Sequence, residues 1–168
     1  MTTRTATLLA PFFLLSAPAL QAQSFQPLAN CECPAVRLDD AYCFSELVFE
    51  GTPSTTDTVY ARSATGKYMQ NSIDHVNSHF RVTHTWKGPG GGMAEVATFH
   101  KLDECGYRFI IGDHYLVFAH SLDGMMVTDR CTPTRAMDTI GPSFRDSLTY
   151  VSNGHRWPGP GPEDSPCR

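Results

Sequence analysis

Six cysteines, at positions 31, 33, 43, 105, 131 and 167, restrict this chain more than any other feature. Two of them stand in the string C-E-C-P at residues 31–34. The number is even, and no C-x-x-C pair of the kind that builds tetrahedral zinc sites occurs. Disulfides are the expected state if the chain reaches an oxidising compartment, and the N-terminus reads as an export signal. Residues 8–20 form an apolar run preceded by Arg4 and by no acidic residue. The run carries Pro11 and Pro18 and falls short of the roughly 20 apolar residues of a membrane-spanning helix. The expected organisation is a signal peptide over residues 1–22, cleaved after Ala22, and a polar extension over residues 23–30. A single domain over residues 31–168 follows. Its last part, residues 153–168, is a Pro- and Gly-rich tail that Cys167 would tie back to the body. The expected location is extracellular or periplasmic.

Charge and motif content narrow the function classes. The formal net charge is −4, and the lysines and arginines are scattered. Nucleic acid and anionic membrane both require a basic patch, so neither is expected as a partner. The chain lacks G-x-S-x-G and H-E-x-x-H, and a cysteine nucleophile would require a free thiol. An enzyme is therefore not expected, nor is a resident cofactor. His75, His79 and His84 have no cysteine or carboxylate at ligand spacing and are not expected to hold a metal.

Periodicity predicts a mainly β domain. Asp39 or Asp40 is expected to cap a short helix with Ala41 and Phe44 on one face. The apolar run 47–49 reads as a strand closed by Gly51 and Pro53, and the polar stretch 54–74 as a long loop or an exposed hairpin. Phe80, Val82, His84 and Trp86 alternate with Arg81, Thr83 and Thr85, the period of a half-buried strand. Phe80 and Trp86 are expected in the core or at a barrel rim, and His84 on an inner or edge face. Lys87-Gly88-Pro89 ends that strand, and residues 95–100 return from the turn. The continuous apolar run 115–119 predicts a strand buried on both faces, turned at Leu122-Asp123-Gly124 into residues 125–128. Residues 134–140 and 143–151 read as weakly helical. About five short antiparallel strands argue for a small barrel or sandwich.

Six cysteines permit 15 pairings. An extended Cys31-Glu32-Cys33 puts both sulfurs on one side. A clip from that tripeptide to Cys105 and Cys131, at the two ends of the 115–128 hairpin, is compatible with bonding distances. Cys43 and Cys167 then remain. Each such bond contributes roughly 4 kcal/mol by the chain-entropy argument, less any strain.

The cysteine spacing from C-E-C to Cys167 resembles that of the N-terminal domain of the tissue inhibitors of metalloproteinases, within the netrin-like module group. The string F-R-V-T-H-T-W-K-G at residues 80–88 resembles that family's strand and turn. Cys105-Gly106, Gly112 and Y-L-V-F-A at residues 115–119 resemble its C-G…Y-L-V segment. The resemblance covers essentially all of residues 31–167. It implies a five-stranded OB-fold barrel with flanking short helices, stapled by Cys31–Cys105, Cys33–Cys131 and Cys43–Cys167. It also implies a monomeric inhibitor of a zinc metalloproteinase, or a binder of another extracellular protein. In such inhibitors the first cysteine is the mature N-terminus. Its amine and carbonyl then hold the protease's catalytic zinc, and the next side chain enters the specificity pocket. Here those roles would fall to Cys31 and Glu32, with Cys33 and Pro34 continuing along the cleft. Residues 102–105, among them Asp103, Glu104 and Cys105, would supply the neighbouring ridge. Two departures support a different reading, a netrin-like binding module without protease inhibition. Residues 23–30 precede Cys31, and a carboxylate at Glu32 is costly to bury in an apolar pocket.

Overall fold

The computed structural model describes residues 31, 33–99 and 105–155. The expected signal peptide, the extension, Glu32, residues 100–104 and the tail from residue 156 lie outside them. The elements run α1 Leu38–Phe44, β1 Leu47–Arg62, β2 Tyr68–Lys87, β3 Met93–Phe99, β4 Tyr115–Leu122, β5 Met125–Val127, β6 Arg135–Ala136, a 3₁₀ turn Met137–Thr139 and α2 Pro142–Ser152.

Five strands close into a ring. β1 pairs antiparallel with both β2 and β4, β2 pairs with β3, and β4 pairs with β5. The ring closes through one parallel contact, Ala97 on β3 against Val127 on β5. This is the order of an OB-fold barrel, with β6 added outside β4 through Tyr115↔Ala136 and Leu116↔Arg135.

Strand alternation explains the two apolar runs at residues 47–49 and 115–119. Leu47, Phe49, Tyr115, Val117 and Ala119 point into the barrel with Phe80, Val96 and Phe109. Val48, Leu116 and Phe118 point outward, where Ala41 of α1 and Leu148 of α2 cover them. Each strand is therefore apolar on both faces, because one face lines the barrel and the other lies under helices. Phe49, Phe80 and Phe109 pack edge to face, with centroids 5.2 and 4.8 Å apart.

Several local expectations change. β1 does not end at Gly51 and Pro53 but runs on to Arg62, so β1 and β2 are long and the stretch 54–74 is largely a ladder of the hairpin type. Pro53 brings no N–H, and the register shifts between Pro53 and Thr55, where that missing donor is tolerated. Thr55, Thr56, Thr58 and Val59 are β-branched and carry the ladder outward into solvent. Neither Asp39 nor Asp40 caps α1. The N-cap is Arg37, without a side-chain cap, and the two aspartates lie in the first turn, where the helix dipole favours them. Ala41 is buried but Phe44 is 56% exposed. Residues 135–139 form β6 and a 3₁₀ turn rather than a helix, whereas the second helical expectation is met by α2.

Gly88 ends β2 at φ 94°, a left-handed conformation. A Cβ there would stand 2.7 Å from the Glu46 carbonyl oxygen and 3.0 Å from Leu47 Cδ1. Gly88→Ala is expected to cost about 2–3 kcal/mol, from left-handed strain and a clash with backbone. Denaturant unfolding measures it, and a loss below about 0.5 kcal/mol contradicts this account of the turn.

Candidate functional site

The tripeptide at residues 31–33 is fixed covalently. Cys31 is bonded to Cys105 with Cα atoms 5.3 Å apart, and Cys33 to Cys131 with Cα atoms 4.9 Å apart. Cys43 is also disulfide-bonded. Its expected partner, Cys167, lies outside the described residues. The first two bonds are two of the three that the resemblance implies. They draw four sulfurs into one group, with Cys31 Sγ 3.6 Å from Cys33 Sγ and 3.7 Å from Cys131 Sγ. Cys33 and Pro34 are exposed, while Cys31 and Cys105 are half-buried. Of the expected contact edge, the disulfides bring Cys31, Cys33 and Cys105 together, and the exposed Pro34 follows Cys33 in the chain. Glu32, Asp103 and Glu104 lie outside the described residues.

Behind this edge stands a hydrogen-bonded wall. The Arg130 N–H donates to the Cys105 carbonyl at 2.8 Å, and Gly106 bridges Asp129 across the same gap. Cys105 itself sits at φ 60°, a left-handed position that costs a non-glycine residue about 1 kcal/mol. The Arg130 bond helps hold it there. Asp129 Oδ1 accepts the N–H groups of Cys131 at 2.8 Å and Thr132 at 3.0 Å, an Asx turn that orients the Cys131 side chain. Thr132 Oγ1 donates to the Asp129 carbonyl at 2.9 Å. The buried hydroxyls of Thr128 and Thr134 are 2.8 Å apart, and Thr134 Oγ1 accepts the Phe118 N–H at 2.9 Å. The edge is thereby tied to β4, the most deeply buried strand.

The other end of the edge runs into α1, which the W-K-G turn fastens. Tyr42 Oη donates to the Trp86 carbonyl at 2.7 Å. Lys87 Nζ donates to the carbonyls of Tyr42 and Cys43 at 2.8 Å each, satisfying orphan acceptors at the helix C-terminus. Burial lowers the Lys87 ammonium below its ordinary value, partly opposed by the charge of Glu46. At the start of α1, Arg37 donates to both Asp39 oxygens, at 2.6 and 2.9 Å. Burial works against the ionised Asp39, but that pairing outweighs it and holds the carboxyl below its ordinary value.

In the barrel core the chain after Cys105 packs Tyr107 and Phe109 against Tyr115, with Tyr115 Oη accepting the Ile110 N–H at 3.0 Å. Burial raises the Tyr107 phenol. Beside the edge, Val36, Phe44, His120, Cys131 and Pro133 line a mostly apolar pocket of about 180 Å³.

Sequence reasoning missed this supporting shell. Glu50 is buried on the outer face of β1, where it accepts from Trp86 Nε1 at 3.3 Å and pairs with Arg145 of α2 at 3.4 Å. Its signal was a carboxylate continuing the apolar run of residues 47–49. Phe80 and Trp86 are in the two core clusters as expected, whereas His84 is exposed against Trp86. His75 bonds Asp74 at 2.8 Å. His79 bonds Asp57 at 2.8 Å and lies 3.5 Å from Glu95. Among the described residues, the group whose atoms converge closely enough for a metal ion is Cys31, Cys33, Cys105 and Cys131.

The disulfides are compatible with an extracellular location. No helix among the described residues is long and apolar enough to cross a membrane. Compared with protein-family models and with curated proteins, the chain finds no match in either.

Proposed function

We propose that the chain is a secreted inhibitor of zinc metalloendopeptidases, similar to the tissue inhibitors of metalloproteinases, that seats the edge at residues 31–34 in a protease cleft. The observation that carries this reading is the double clamp, Cys31 to Cys105 and Cys33 to Cys131, at an exposed rim of a closed barrel. A catalytic zinc keeps one position open for water. The α-amine and carbonyl of an N-terminal Cys31 would form a compact chelate there, and a clamped residue loses little conformational entropy on binding. The zinc belongs to the partner, and the chain needs no cofactor of its own. The apolar pocket next to Cys131 offers a place for a side chain of that partner.

The test compares two forms against several zinc endopeptidases: one beginning at Cys31 and one keeping residues 23–30. The trimmed form is expected to inhibit at least about 100-fold more strongly, because an amide nitrogen brings no lone pair to the metal. Its inhibition should weaken about tenfold per pH unit below the amine's ordinary value near 8, as the protonated amine cannot bind zinc. No inhibition by the trimmed form rules the reading out.

Residues 23–30 and Glu32 favour a second reading, a netrin-like protein-binding module without a protease target. It predicts partner binding that trimming leaves unchanged, and strong inhibition by the trimmed form eliminates it.

A further inference from the structure

We infer that the four edge sulfurs, when reduced, form a tetrathiolate site for one zinc ion. This rests on the sulfur geometry and not on the inhibitor reading. The ligand atoms of Cys31, Cys33, Cys105 and Cys131 all lie within 4.8 Å of one another. A tetrahedral zinc–thiolate centre has Zn–S bonds of about 2.3 Å, which puts its sulfurs about 3.8 Å apart. Two non-bonded separations already match that edge, 3.6 Å for Cys31–Cys33 and 3.7 Å for Cys31–Cys131. The remaining non-bonded separations are within 4.8 Å, and once the two bonds are cut the four sulfurs can spread to the edges of the tetrahedron.

Without the disulfides the chain is expected to be unfolded, and zinc would restore this region as it binds, helped by bonds that the folded backbone makes for itself. The Arg130–Cys105 hydrogen bond and the Gly106–Asp129 bridge hold Cys105 beside the 129–131 turn. The Asp129 carboxylate fixes Cys131. Cys31 and Cys33 are carried by the lead into α1, which Tyr42 and Lys87 fasten to the end of β2. Four soft thiolates select zinc over magnesium or calcium.

The chemistry balances with a dithiol as reductant. Each protein disulfide takes two electrons and two protons from one dithiol, which leaves as its cyclic disulfide. The four thiols then lose four protons to solvent as four Zn–S bonds form. Oxidation by a disulfide runs the sequence backwards and expels the ion. The same four cysteines thus hold a metal before oxidation and a covalent clamp after it.

The experiment uses the full-length chain, reduced anaerobically with a phosphine and titrated with cobalt(II) and then zinc. The expected result is saturation at one equivalent, with the visible bands of tetrahedral thiolate-bound cobalt, displaced by zinc. Zinc should also shield four of the six thiols from a disulfide reagent, leaving Cys43 and Cys167 reactive. Cys33→Ser should weaken binding more than about 100-fold, since it removes a ligand, and Cys43→Ser should leave it unchanged. Octahedral cobalt bands, no saturation at one equivalent, shielding of Cys43 or Cys167, or equal affinity in Cys33→Ser would each overturn the proposal. So would a reduced chain that stays unfolded when zinc is added, read by circular dichroism.

Discussion

Replacing Cys31, Cys33, Cys105 and Cys131 together with serine is expected to lower the unfolding free energy by about 8 kcal/mol. Removing only the Cys31–Cys105 pair is expected to cost about 3.5 kcal/mol. The difference follows from overlapping loops. The first bond to form, between residues 74 apart, closes a long loop and restricts the unfolded chain by about 4.5 kcal/mol. Once it exists, Cys33–Cys131 closes only a loop of roughly 30 residues, running through the tripeptide and the 105–131 segment, for about 3.5 kcal/mol. A domain of this size has on the order of 5–15 kcal/mol in all. The quadruple variant should therefore be unfolded or nearly so in denaturant-free buffer, while the single-pair variant keeps a cooperative transition at lower midpoint. Urea titrations followed by circular dichroism read both. A quadruple variant within about 2 kcal/mol of the parent would mean that the clamp does not organise the fold.

Phe80→Ala is expected to cost about 4–5 kcal/mol, the largest loss from any single core residue considered. Phe80 is fully buried and sits where β1, β2 and β3 meet, opposite Pro53 and Ala94. Its ring is the middle of the edge-to-face series formed with Phe49 and Phe109. Truncation removes its own transfer energy, leaves a cavity that three strands cannot collapse into, and ends both aromatic contacts. Phe80→Leu should recover more than half of the loss, because it refills most of the volume. The same urea titration distinguishes the two variants, and an alanine variant within about 1 kcal/mol of the parent contradicts this placement of the core.

The barrel was legible where one residue type repeated at a fixed period. The alternation from Phe80 to Trp86 located β2 but not its faces, since Phe80 and Val82 pack in the barrel whereas His84 is exposed and Trp86 packs on the outer cluster. The unbroken run from Tyr115 to Ala119 marked a strand covered on both faces. Asp123-Gly124, at φ 51° and 82°, gave the tight hairpin between β4 and β5. What was not legible depends on long-range pairing. Gly51 and Pro53 are strand breakers by type. They survive inside β1 because Gly51 admits the Arg81 carbonyl 2.8 Å from where a Cβ would stand, and because the register shifts next to Pro53. Asp39 and Asp40 look like helix caps by sequence, but α1 begins at Leu38, with its N-cap at Arg37, two residues before Asp39 and three before Asp40.

For the site, the C-E-C string marked the edge, since nothing else brings two sulfurs so close along a chain. Its supports could not be read the same way. Lys87 reaches α1 across more than forty residues of sequence, and Asp129 acts through two local N–H groups that no pattern advertises. Glu50 becomes a partner only when the barrel sets Trp86 and α2 beside it.

The account rests on a Cys31–Glu32–Cys33 edge bonded to Cys105 and Cys131, and proteolysis of the unreduced protein followed by mass spectrometry tests it most directly. It predicts Cys31 joined to Cys105 and Cys33 joined to Cys131; a Cys31–Cys33 bond, or either cysteine recovered as a free thiol, would contradict it.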